Sequence, residues 1–124
     1  MAKLPIRLDF PKLLCVSLLA AAPLAHAGEI KILMKDMKQA MQGAMVSTTM
    51  PELSGYVTRL EDDAQRASHL PYRGDQPTYD EGIQALREEL TEVDRAIQAN
   101  DLNAAKQALR RINGTRKHYH DLLS

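Results

Sequence analysis

Residues 78–100 read TYDEGIQALREELTEVDRAIQAN. Tyr79, Ile83, Leu86, Leu90, Val93 and Ile97 recur at steps of three and four, which places them on one face of a helix. The positions between them are mostly charged or polar, so the segment is amphipathic and must bury that face against something. Thr78 with Glu81 three residues later fits a capping box, and the pattern predicts a helix opening there. At the other end Asn100 tolerates a left-handed residue and Asp101 suits the cap of a following helix.

The same spacing extends outward in both directions. Downstream, Leu102, Ala105, Leu109, Ile112, Arg116, Tyr119 and Leu123 form a second stripe. Gly114 interrupts it at a cost of about 1 kcal/mol relative to Ala, but the stripe continues on both sides and one helix is predicted through it. Upstream, HLPYRGDQP (residues 69–77) holds two prolines and a glycine and reads as a loop. Before it, Pro51 and Glu52 suit the first turn of a helix running to about Ser68, with Leu53, Tyr56, Val57, Leu60, Ala64 and Ala67 inward. A first helix spans about Glu29 to Val46, striped by Ile30, Leu33, Met34, Met37, Met41, Ala44 and Met45, and Ser47-Thr48-Thr49 ends it. Four amphipathic helices with mostly short connections predict an all-α fold, an antiparallel up-down-up-down four-helix bundle.

Ahead of the bundle lies a different kind of segment. Lys3, Arg7 and Lys12 precede an apolar run from Leu13 to Ala22, and Ala25-His26-Ala27 offers small residues where a signal peptidase reads them. Residues 1–27 are therefore expected to be a cleaved secretory signal, and residues 28–124 the working domain. The apolar run is about half of the roughly 20 residues a membrane span needs. Leu14 stands before Cys15 where a lipoprotein would want a small residue. Cleavage removes Cys15, so the mature chain has no thiol for zinc, an iron–sulfur cluster or covalent haem attachment. It also takes Lys3, Arg7, Lys12 and Asp9 from sixteen bases and sixteen acids, leaving a net charge of −2. That balance gives no case for nucleic acid or, once the signal is gone, for a membrane. No stretch of the sequence announces a docking face.

One end of the predicted bundle is anomalous. Taking about 100° per residue and setting Leu109 at zero, His120 falls at about 20° and His118 at about 180°. His120 is thus predicted to face the core and His118 the solvent. In an up-down-up-down bundle the start of the first helix lies beside the end of the fourth, so His120 faces Ile30, Leu33, Met34 and Met37, with Ala64 and Ala67 leaving room. Arg116, one turn before His120, is expected inward or half-inward, and a buried guanidinium needs an anion or a path to water. A haem meets all of these: it is flat, its iron takes a His nitrogen and can take a Met sulfur, and its propionates suit an arginine.

EIKILMKDMKQAM (29–41), YDEGIQAL (79–86) and TRKHYHDLLS (115–124) resemble the corresponding helices of the cytochrome b562 family, small soluble periplasmic haem proteins. Met34 stands four residues after Ile30, Gly82 three after Tyr79, and Arg116, Tyr119 and His120 make an R-x-x-Y-H motif near the end of the last helix. The resemblance implies one non-covalent haem b with Met34 and His120 as axial ligands. It implies a pocket lined by Met37, Tyr79 and Ile83, with Arg116 near the haem edge. It also implies a monomeric periplasmic electron carrier, serving a redox partner protein that the sequence does not name. With both axial positions closed, chemistry on a substrate is not expected, and no Ser-His-Asp or paired-carboxylate constellation points to an enzyme.

Two other readings keep the same fold. Met34, Met37, Met41 and Met45 share a helical face, and thioethers favour Cu(I), although Met also simply fills small cores. Alternatively the bundle is haem-free, structural or stress-related, and His120 hydrogen-bonds within it.

Overall fold

The computed structural model of the chain describes residues 28–124; the expected signal, residues 1–27, lies outside them. Four helices account for nearly all of the described residues: α1 (28–46), α2 (Met50–Ser68), α3 (Gln76–Gln98) and α4 (Leu102–Leu123). No strand occurs among these residues.

Each connection is built from local chemistry. Thr49 caps α2 by accepting from the Glu52 N–H at 3.4 Å, with Pro51 in the first turn. Asn100 takes φ 53°, the left-handed turn anticipated for it, and Asp101 accepts from the Ala104 N–H at 2.9 Å to start α4. The start of α3 differs from expectation. Its cap is Asp75, which accepts from both the N–H and the hydroxyl of Thr78, so Thr78 is the partner of the cap and the helix opens two residues earlier at Gln76. Those bonds hold the Asp75 carboxyl below the usual carboxylate range, and Pro77 fits the first turn because no N–H is needed there.

Consecutive helices run antiparallel, as connections this short require. One end and the middle of the bundle are tightly filled by Met37, Ala40, Met41, Leu53, Val57, Leu60, Leu90, Val93, Leu109 and Ile112. The other end holds a smaller cluster, Ile30, Leu33, Ala67, Tyr79 and Ile83. Tyr72 from the α2–α3 connection stacks on Tyr79 with ring centres 4.8 Å apart, and its hydroxyl donates to the Leu123 carbonyl at 3.4 Å. The connection is thereby tied to the last turn of α4.

α1 is pinned to α2 by Arg59, which donates through Nε and Nη2 to the two oxygens of Asp36. Beneath this pair lies Asp63, which is buried with Oδ2 lacking a hydrogen-bond partner. Burial and the adjoining Asp36 carboxylate push Asp63 up to about 7. Below that pH its carboxyl carries a proton shared with Asp36, while Arg59 holds Asp36 low.

Candidate functional site

The gap between α1 and α4 is the consequence of where the core stops. On α4 the buried residues are Ala105, Ala108, Leu109 and Ile112, and none follows. Beyond Ile112 the last three turns of α4 lie against α3 through Tyr119, and the end of α4 meets the cluster around Ile30 and Leu33 only through the half-buried Leu123. Gly82 makes that contact possible: a Cβ there would lie 2.9 Å from Cγ of the Tyr119 ring. The Tyr119 hydroxyl then reaches Glu81 at 3.0 Å, which raises the phenol above its usual range.

The result is an open cleft of about 300 Å³, at the lower end of the size of small-molecule sites. Its floor is Met37, Met41, Leu60 and Ile112; one wall is Tyr79, Ile83 and Leu86 of α3. Its mouth is bordered by Met34 from α1 and by Arg116, His120 and Ser124 from the end of α4. All six residues singled out from the sequence therefore border one cavity. Tyr79 is pushed up to about 12, chiefly by burial, and stays protonated, donating to the Ala67 carbonyl at 2.8 Å. That leaves the wall itself without a free polar group from Tyr79.

Two expectations about the mouth need correction. His120 does not face a closed core: its side chain is 73% exposed, because the core along α4 has already ended. It borders the cleft from its rim, and its nearest carboxylate, Asp121, is 3.9 Å away, beyond hydrogen-bond reach. Arg116 is likewise exposed, with its guanidinium donating to the Asn113 side chain at 3.2 and 3.4 Å. It is not a buried cation in want of an anion. His118 points to solvent, as anticipated, and meets the Tyr119 ring edge-on.

Two side chains, Tyr72 in the cleft and Asp63 outside it, are not legible from helical periodicity alone. Tyr72, in the loop between α2 and α3, stacks on Tyr79 and itself lines the cleft. Its signal was an aromatic between two prolines, in a connection that had to cross the cleft end. Asp63 sits in the acidic run Glu61-Asp62-Asp63, which looks solvated. Its spacing, three after Leu60 and four before Ala67, was the available sign that it points inward.

An apolar slot between helices, with a thioether on one flank and an unengaged imidazole on the other, suits a flat prosthetic group. Among the described residues no three His, Cys, Asp or Glu side chains gather as a metal site.

These features define a helical bundle with an open, mainly apolar cleft at one end. The family model for cytochrome b562 matches residues 29–123, and the chain belongs to the cytochrome b562 family. That family consists of haem-binding, electron-transferring helical bundles rather than enzymes. A comparison with curated proteins gives no match.

Proposed function

We propose that the mature chain is a monomeric periplasmic electron-transfer protein holding one haem b without covalent linkage, with Met34 and His120 as its axial ligands. The observation that carries this reading is that a thioether and an imidazole, on the two helices flanking one apolar cleft, both border its mouth. When bound, haem supplies a one-electron couple at its iron, and Met/His ligation raises the potential of that couple. The chain's part is to hold and shield. Tyr79, Ile83 and Met37 present apolar surface to the ring. His120 has no hydrogen bond to give up within the described residues. Arg116, exposed at the rim, is placed to meet a propionate. The leader-like residues 1–27 support export to the periplasm.

Visible absorption of the purified protein with added haemin, oxidised and then reduced, tests the reading. A six-coordinate low-spin b-type spectrum at one haem per chain is expected. His120→Ala should lose it, Met34→Ala should keep haem but open one axial position and lower the potential, and His118→Ala should change neither. Equal loss of haem in His118→Ala and His120→Ala would overturn the ligand assignment. The Cu(I) alternative is less well supported, because Met37 and Met41, although they border the cleft, are committed to core packing.

A further inference from the structure

The charges of this bundle are segregated in a way the net charge conceals. Across α1 and α4 there are eight Lys and Arg against three Asp and Glu; across α2 and α3 there are four against ten. The two basic helices are the ones that flank the mouth of the cleft. On α1, Lys31 and Lys38 lie three before and four after Met34, on the same side of the helix. On α4, Lys106, Arg110 and Lys117 follow one another at steps of four and seven, and Lys117 precedes His120 by three. Four of these five are exposed, Lys106 is half-buried, and none of the five makes an ion pair among the described residues. The acids nearest the mouth are Asp121, beside His120, and Glu81 of α3, which accepts from the Tyr119 hydroxyl. Most of the acids lie on the outer side of α2 and α3, about one helix diameter or ~10 Å beyond the α1–α4 face, whereas charge is screened over ~8 Å at physiological salt. A partner at the mouth therefore meets a positive surface although the mature protein is negative overall.

From this we infer that the α1–α4 face around the cleft mouth is a docking surface for an acidic protein, the partner in electron exchange. The inference rests on the haem reading for its chemistry but on charge placement alone for its location. A protein surface fits better than a lipid one. The exposed apolar residues Ile32 and Leu122 stand two positions from Met34 and His120, hence on the opposite side of each helix, and the basic face keeps only Met34, 37% exposed, which is too little to anchor it in a lipid surface. Transient redox encounters are steered by local complementarity of this kind.

The test uses the haem-loaded protein with a reduced, acidic plant-type [2Fe–2S] ferredoxin as probe. One electron passes from the cluster to ferric haem, with no bond or proton moved. The second-order rate, followed by stopped flow from low salt (about 0.01 M) to high salt (about 1 M), should fall, although two net-negative proteins would otherwise speed up as salt is added. The triple variant Lys31→Glu, Lys38→Glu, Lys117→Glu should react on the order of ten-fold more slowly at low salt and reverse the salt dependence. Glu88→Lys with Glu92→Lys, on the α3 flank, should not slow it. A wild-type rate that rises with salt, or a triple variant that matches the parent, would overturn the proposal. So would tight co-sedimentation with phosphatidylglycerol vesicles at the same salt, which would make the face a lipid surface. Should the protein take up no haem, the functional reading fails separately. Amide shifts on titrating the haem-free chain with poly-glutamate then still locate the face, on α1 and α4 if the inference holds and elsewhere if it does not.

Discussion

The two ends of this bundle are made from the same helices and do opposite things. At the end where α2 meets α1 and α3 meets α4, Leu53, Val93 and Leu109 are wholly inaccessible, and small residues such as Ala44, Ala105 and Ala108 let the helices close. At the other end α4 turns its aromatic residue to α3, α1 keeps Met34 37% exposed, and a slot stays open between them. The difference teaches where the free energy of folding resides. A closed core supplies stability through buried apolar area, and it leaves the open end free to present surface that a ligand, rather than another side chain, would cover.

The largest effect that could break this division is a core truncation. Leu109→Ala, in the closed half, should cost about 2–5 kcal/mol, because it removes buried methyl groups and leaves a void. Met34→Ala, at the mouth, should leave haem-free stability within about 0.5 kcal/mol. Urea unfolding of both haem-free variants measures this. A Met34→Ala loss as large as that of Leu109→Ala would show that the cleft end is closed in solution.

A smaller effect concerns Asp63, in the filled part of the bundle but beside the α1 segment that leads to Met34. Its native pKa of about 7 lies above the usual carboxylate value. The folded state therefore holds its proton more tightly than the unfolded chain does. The stability it contributes is complete below about pH 4 and is lost as pH rises towards 7. Asp36 works the other way: held low by Arg59, it contributes stability above about pH 4 and loses it in stronger acid. Glu61, also about 7 through burial and Asp94, adds to the Asp63 trend. Thermal unfolding should consequently weaken between pH 5 and pH 8. Asp63→Asn, which keeps a donor towards Asp36 without the charge, should flatten that slope and raise stability at pH 8 by on the order of 1 kcal/mol, or about 5 °C in Tm. An unchanged pH profile in Asp63→Asn would mean that Asp63 is not the group being titrated.

The closed end was legible in the sequence and the open end only in part, for a physical reason. Helical periodicity reports which side of a helix is apolar, and where helices close on each other apolar and buried coincide. The stripe of Leu90, Val93 and Leu109 could be read directly for that reason. At the open end they do not coincide. His120 has the phase of a core residue and lies in water, since phase says nothing about whether a neighbouring helix is present. Arg116 shares that fate. The convergence of Met34, Met37, Tyr79, Ile83, Arg116 and His120 on one cleft could be anticipated, because antiparallel topology fixes which ends meet. The Asp75 cap in place of Thr78, the buried Asp63 and the stacked Tyr72 depend on single side-chain choices that periodicity does not encode. Nor does a chain-wide net charge reveal that bases gather on α1 and α4 and acids on α2 and α3; that requires knowing which helices flank the mouth.

The smallest expected effects come from two glycines that sharpen the same contrast within the open end. Gly82 and Gly114 both sit inside helices, where replacing Gly by Ala gains up to about 1 kcal/mol of propensity. At Gly114 a Cβ would meet nothing within 4 Å, so Gly114→Ala should realise that gain in full. At Gly82 the new Cβ would press on the Tyr119 ring, whose hydroxyl is already engaged by Glu81. Relieving the overlap moves α4 away from α3 or swings the ring into the cleft, and overpacking of this kind costs about 1–3 kcal/mol. The overlap offsets or outweighs the propensity gain at Gly82, and the net change should lie between zero and about 2 kcal/mol of destabilisation. Thermal melts of the two haem-free variants separate the outcomes: Gly114→Ala should melt higher than the parent and Gly82→Ala no higher. A Gly82→Ala protein as stabilised as Gly114→Ala would mean that Tyr119 does not rest on α3. The wall that keeps α4 on that side, and holds the cleft open towards α1, would then have to be sought elsewhere.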